Sequence, residues 1–169
     1  MRAEFVNPFI EAAQQVIVAE TRSEVQRGTL SLNNSPYTTR DVTVLVAVTG
    51  RVQGTVLYSM PEQTARAIVS AMVGQAFEEM NDLAVSGIAE LGNVITGTAS
   101  TTLAEAGFPT RIAPPIVLIG RGTQISTVDI QRLVVPLSTQ LGPVEIQVAL
   151  REVHANAWSA KTSAESVRI

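Results

Sequence analysis

Apolar residues along the chain recur with two different periods, and each change of period marks a change of element. Phe9, Ile10, Ala13, Val16 and Ile17 repeat at the spacing of one helix face. They predict a first helix running to about Glu24, with Asn7 as its N-cap and Pro8 in its first turn. Residues 28–40 read as loop, broken at Asn33-Asn34-Ser35-Pro36, with a short edge strand at Thr29–Leu32. Asp41–Thr49 and Val52–Ser59 are β-rich runs that meet at Gly50-Arg51, a hairpin signal. Pro61 opens a second helix to about Gly74 that places Ala65, Ile68, Val69 and Met72 on one face. A long helix follows from about Glu79 to Ala106 and stops at Gly107-Phe108-Pro109. Ile112–Ile119, Gln124–Ser138 and Val144–Val153 are β-like, with Gly120-Arg121-Gly122 as a hairpin turn.

The order is helix, strands, two helices, strands, so a helix followed by a strand group occurs twice. Strands that follow one another through tight turns favour an antiparallel sheet over a doubly wound parallel one. The expectation is therefore an α+β fold: one domain over residues 1–154, with a largely antiparallel sheet, a long helix and two further helices. Residues 155–169 are small and polar with no periodicity, and predict a flexible C-terminal tail.

At 169 residues and 46% hydrophobic, the chain can build one sizeable core and not two. A net charge of −3, with scattered arginines and a lone lysine, gives no basic stripe for nucleic acid or anionic lipid. The longest apolar run, near Val44–Val48, is far short of a membrane span, and MRAEFVNPFIEAA has an early acid and no apolar core of a signal peptide. The expected compartment is the cytoplasm.

With no cysteine there is no disulfide, thiolate metal site or Cys nucleophile, and a single histidine, His154, argues against a Ser–His–acid triad or a multi-His metal centre. His154 reads as a strand-end polar residue. No phosphate-cradling or dinucleotide-binding glycine motif is present. Tyr37, Tyr58 and Trp158 are too sparse for a base-stacking platform. Glu62, Glu78, Glu79 and Asp129 read as solvated charges. The chemistry is left to carboxylates, amides and hydroxyls.

The long helix has two faces. Ala84, Ile88, Leu91, Ile95, Ala99 and Thr102 fall on one stripe, suited to packing on the sheet. Ser86, Glu90, Asn93 and Gly97 fall on the opposite stripe, with Glu90 and Asn93 neighbours one turn apart. Asn is a poor helix former, and each of Gly87, Gly92 and Gly97 costs about 1 kcal/mol relative to Ala. Gly92 borders the core stripe and suggests close packing; Gly97 lies beside Asn93 and leaves room for another surface.

The run Ser86-x-x-x-Glu90-x-x-Asn93, followed after the helix by Pro114-Pro115, resembles the active-site signature of the CheC/CheX/FliY chemotaxis phosphatases. The likeness is strongest to the CheX branch. It also takes in Val6-Asn7, the hairpin from Val46-Ala-Val-Thr-Gly50 to Gly54-Thr-Val-Leu-Tyr-Ser59, Ser70-Ala-Met72 and Ile112-Ala-Pro-Pro115.

The resemblance implies a CheC-like domain whose long helix carries the active site, and a phosphatase acting on the aspartyl phosphate of a phosphorylated CheY-like response regulator. That regulator would supply the phosphoaspartate and the Mg²⁺, and the chain itself would hold no cofactor or metal. It implies that Asn93 positions the attacking water, that Glu90 pairs with a regulator lysine, and that Ser86 and Gly97 border the interface. Two-centre members carry a second E-x-x-N on the first helix. Here Glu11-Ala-Ala-Gln14 stands in that place, which implies one centre per chain. A homodimer joined through sheet edges is also implied. Two other classes compete: a non-catalytic module docking a regulator or flagellar-switch component, and a small-ligand sensor, which needs a pocket with converging polar groups.

Overall fold

Strict alternation builds the sheet. In β4 (Val42–Gly50) and β5 (Val52–Met60), Val42, Val44, Val46 and Val48 and then Val52, Val56, Tyr58 and Met60 point to one buried face. In β10 (Gly142–Glu152), Val144, Ile146, Val148 and Leu150 continue that face. The computed structural model describes residues 2–126 and 130–153. His154, Trp158, Asp129 and the expected tail lie outside the described residues.

The remaining elements are α1 (Ala3–Thr21), β1 (Val25–Arg27), β2 (Ser31–Asn33), β3 (Tyr37–Thr38), α2 (Glu62–Val73), α3 (Asp82–Glu105), β6 (Thr110–Ile112), β7 (Ile116–Ile119), β8 (Gln124–Ile125) and β9 (Arg132–Thr139). The main sheet has the order β1-β9-β10-β5-β4-β6, with β2 also on β9 and β7 also on β4. Every pairing is antiparallel. The three helices cover one face, α3 lying against both α1 and α2 and over β4 and β6. This is the expected α+β architecture. On the other face, β3 and β8 form a two-stranded sheet. Tyr37 anchors it by donating to Ser59 Oγ at 2.5 Å.

Several local expectations are corrected. Asn7 is not a cap, because α1 already begins at Ala3 and Pro8 lies inside it. Pro8 offers no N–H to the Glu4 carbonyl. The turn before it is held by tertiary contacts instead: Phe5 is buried edge-on against Phe108 at 5.0 Å, and Arg2 pairs with Glu4 and Glu152. The helix ends at Thr21, short of Glu24, with Arg22 in the left-handed region at φ 57°. The single edge strand expected at Thr29–Leu32 is replaced by β1 and β2, both on β9.

Ile112–Ile119 is two strands. Val48 opposes Ile112 whereas Leu45 opposes Ile116, so three residues face two across the break. The extra residue is a bulge in which neither Pro114 nor Pro115 can donate to the ladder. It lets Ile112 and Val117 share the helix-side face. Gln124–Ser138 is likewise split into β8 and β9.

Gly120-Arg121-Gly122 is not a hairpin, since β7 pairs with β4 and β8 with β3. It carries the chain from the main sheet to the small one, fastened by the Arg121 guanidinium on both oxygens of Asp41. Asp41 Oδ2 also accepts the Glu62 N–H at 3.1 Å, at the start of α2.

Candidate functional site on helix α3

Local sequence fixes both ends of α3. Asn81 caps the N-terminus by accepting the Ala84 N–H at 3.0 Å, and Asp82 places a negative charge in the first turn. At the other end the Phe108 N–H reaches the Leu103 carbonyl at 2.8 Å and Gly107 reaches Ala104 at 3.0 Å. Gly107 sits at φ 88°, as this helix stop requires. The helix is thus slightly shorter than the expected span of Glu79 to Ala106.

Ala84, Ile88, Leu91, Ile95 and Ala99 are all buried as the periodicity demands. Thr102 is exposed and Leu103 takes the last core position. At 3.6 residues per turn the stripe advances by four after Ala99, which brings the larger apolar residue inward.

Two of the three glycines are required by packing. A Cβ on Gly92 would lie 2.7 Å from Val44 Cγ1, and one on Gly87 would lie 2.8 Å from Val69 Cγ1. The helix therefore sits close on β4 and α2. Thr96, the next turn on, gives its proton to the Gly92 carbonyl at 2.7 Å and lies 2.8 Å from the Tyr58 hydroxyl. Burial pushes the Tyr58 phenol well above its ordinary pKa, with the Thr96 bond opposing, so Tyr58 remains a neutral donor. Sequence reasoning missed this fastener, because nothing in the local pattern links residues so far apart.

The opposite stripe faces outward. Ser86 and Glu90 are exposed, and Asn93 and Gly97 are half-buried. The Asn93 Nδ2 lies 3.5 Å from Glu90 Oε2, the outer limit of a hydrogen bond, so the two side chains are neighbours without saturating each other. No Lys or Arg of the described residues forms an ion pair with Glu90. Its carboxylate is left open to a cation from outside. A Cβ on Gly97 would meet only Ile112 Cδ1, at 3.8 Å, so this glycine answers to no internal contact. Leu83 and Val94, 53% and 36% exposed, flank Glu90 on the same surface.

The arrangement presents an amide that can both donate and accept, beside an uncompensated carboxylate, on the outer face of α3. Nothing here forms a nucleophile–base pair. Among the described residues no three His, Asp or Glu side chains cluster as metal ligands, and no helix is long and apolar enough to cross a membrane.

The family model for chemotaxis phosphatase CheX matches residues 42–138, more than half of the chain and including all of α3. The curated CheY-P phosphatase CheX of Thermotoga maritima is 30% identical over 128 residues, which is 75% of this chain and 83% of that protein. Among solved structures, a CheC-like superfamily protein from Shewanella sp. PV-4 superposes with a TM-score of 0.80 at 26% identity, covering 89% of this chain and 99% of that one. The CheX of the CheX–CheY–BeF3–Mg²⁺ complex from Borrelia burgdorferi superposes with a TM-score of 0.77 at 28% identity, covering 89% and 100%. With the fold, the helix motif and the sequence likeness in agreement, the chain belongs to the CheX family of chemotaxis phosphatases.

Proposed function

We propose that the chain hydrolyses the aspartyl phosphate of a CheY-like response regulator. The observation that carries this reading is the pairing on α3 of an accessible amide, Asn93, with a carboxylate, Glu90, that pairs with no cation among the described residues. Water attacks phosphorus, the bond to the regulator's aspartate breaks, and inorganic phosphate leaves with the carboxylate restored. Asn93 orients that water in line with the leaving oxygen, using its carbonyl as acceptor and its amide as donor. In such reactions catalysis consists of positioning and electrostatics, and an amide supplies the first without titrating.

Glu90 pairs with a lysine of the regulator and sets the angle of approach. Ser86 and Gly97 border the contact, where the missing side chain of Gly97 permits close approach. Mg²⁺ comes with the regulator; the relative from Borrelia burgdorferi binds CheY in a complex that also holds BeF3 and Mg²⁺. The protein works in the cytoplasm as a homodimer whose subunit contact leaves Glu90 and Asn93 outside. Residues 1–154 form the phosphatase domain.

The test is to mix the protein with a ³²P-labelled regulator and follow loss of label with and without chelator. Accelerated loss that stops on removing Mg²⁺ supports the reading. Binding of the phosphorylated regulator without acceleration would reassign the protein as a docking module.

A further inference from the structure

The turn of α3 that carries Asn93 is bracketed by two contacts with the sheet. Val44 on β4 and Tyr58 on β5 are cross-strand partners, and both lie beneath this turn. A Cβ on Gly92 would stand 2.7 Å from Val44 Cγ1 and 3.4 Å from Tyr58 Cδ2, so the backbone just before Asn93 rests on that pair. Three residues after Asn93, the Thr96 hydroxyl binds the Gly92 carbonyl at 2.7 Å and the Tyr58 hydroxyl at 2.8 Å. One tyrosine thus meets the turn at both ends, with its ring below Gly92 and its hydroxyl at Thr96. Leu91 and Ile95 are buried in the same turn, which leaves Asn93 and Val94 to face outward.

The buried faces of β4, β5 and β10 described above are otherwise built from Val, Met, Ile and Leu. Of the buried residues of α3, only Thr96 has a polar side chain. Apolar contact is non-directional, and alone it would let the helix slide or roll a little on the valines. A hydrogen bond fixes distance and angle, and a buried hydroxyl that loses its partner carries the cost of desolvation. The chain from Tyr58 through Thr96 to the Gly92 carbonyl therefore sets the height and rotation of one turn of α3 against β5. A threonine bonded to the carbonyl four residues back also commonly bends its helix, here within the turn that holds Asn93.

We infer that Tyr58 and Thr96 are positioning residues for the hydrolysis, holding the Asn93 amide at the height and angle from which it orients the attacking water. The inference deepens the phosphatase reading and rests on it. Tyr58 and Thr96 are 2% and 0% exposed, so neither touches the regulator, and both act through the backbone of residues 92–96. Positioning is where such a reaction gains its rate, and a displacement of about 1 Å costs on the order of 10²-fold. Glu90 precedes the bracket, so docking survives when the relay is cut.

The experiment uses the full chain with ³²P-labelled CheY and Mg²⁺, at a temperature where circular dichroism shows each variant folded. Tyr58→Phe keeps the ring below Gly92 and removes the hydroxyl; it is expected to lower kcat about tenfold with KM unchanged. Thr96→Val keeps the shape and loses both bonds. It is expected to fall as far, and it carries the test where Tyr58→Phe fails to fold. Thr96→Ser restores the hydroxyl and is expected to recover most of kcat. A residue that only stabilised the fold would act alike in every background. A positioning residue has nothing to position in Asn93→Ala, so that variant with and without Tyr58→Phe is expected to show one residual rate. Wild-type kcat from folded Tyr58→Phe and Thr96→Val, or a tenfold loss repeated in the Asn93→Ala background, overturns the inference and leaves the phosphatase reading standing. No hydrolysis by wild type, or wild-type kcat from Asn93→Ala, overturns both.

Discussion

The Tyr58 hydroxyl donates to Thr96 Oγ1 at 2.8 Å, because Thr96 already gives its own proton to the Gly92 carbonyl at 2.7 Å. Strand β5 and helix α3 are thereby tied one turn from Asn93. Tyr58→Phe leaves a buried hydroxyl oxygen without its donor. A loss of about 1–3 kcal/mol in folding stability is expected, measured by denaturant unfolding. An unchanged midpoint would show that the relay does not hold the helix.

Gly92 and Gly97 are predicted to respond to the same substitution with opposite signs. Gly92→Ala drives a methyl toward Val44 Cγ1 and should cost about 1–3 kcal/mol. Gly97→Ala meets only Ile112 Cδ1 at 3.8 Å and should gain up to about 1 kcal/mol from helix propensity. If the regulator closes on this surface, the more stable Gly97→Ala variant should nevertheless dephosphorylate more slowly. Thermal melts and the label-release assay on both proteins decide the matter.

Asn93→Ala is expected to keep the fold and the regulator affinity while losing hydrolysis. The loss of one positioned polar group in a preorganised site is worth about 2.7–4 kcal/mol of barrier, or about 10²–10³ in rate. Wild-type rates from a folded Asn93→Ala protein would end the proposed mechanism.

Glu90→Gln should act chiefly on docking. It removes a charge with no internal partner among the described residues, so stability should move by less than about 0.5 kcal/mol. Affinity for the phosphorylated regulator should fall and lose part of its salt dependence, because a charge pair at a rim steers association. Surface plasmon resonance at two ionic strengths reads both effects.

Asp41 predicts an acid limb in stability. The Arg121 hydrogen bond first, and the Glu62 N–H second, hold its carboxyl at about 2 against an ordinary 3.8. A depressed folded value means that the contribution is complete above 3.8 and drains as the pH falls toward about 2. Asp41→Asn removes the charge, so wild type should lose more stability than the variant across that window. Parallel urea titrations of the two proteins would show it, and equal acid slopes would refute it.

Much of this was legible locally. The valines of β4 and β5 alternate, and Gly50-Arg51 separates them, so the hairpin followed from residues within reach of one another. The same holds for α3: Ile88, Leu91 and Ile95 set its buried face, and that alone sends Ser86, Glu90 and Asn93 outward. What the sequence concealed depends on partners distant along the chain. Pro8 looked like a first-turn residue because Phe108, which anchors Phe5 before it, lies in another segment. The Pro114-Pro115 bulge changes the side-chain parity only relative to β4. Arg132 read as one of many scattered arginines until β9 placed it beside Gln147. Buried polar pairs carry no period, and periodicity is the signal that local reading uses.

The place of β10 between β9 and β5 has a consequence for how the molecule forms. β10 follows every other described strand in sequence, yet its Glu145 opposes Ser59 on one side and Pro136 on the other. Until it is in place, β4–β5 and β1–β9 are separate ribbons with no shared sheet. Pairings across such sequence separations are slow to close, since loop entropy is lost before contacts reward it. On the ribosome, α1, α2 and α3 can coil as soon as they emerge, but α1 and α2 lack part of their seat until Gly142–Glu152 follows. A chain stalled before that point exposes two apolar edges and invites chaperone capture.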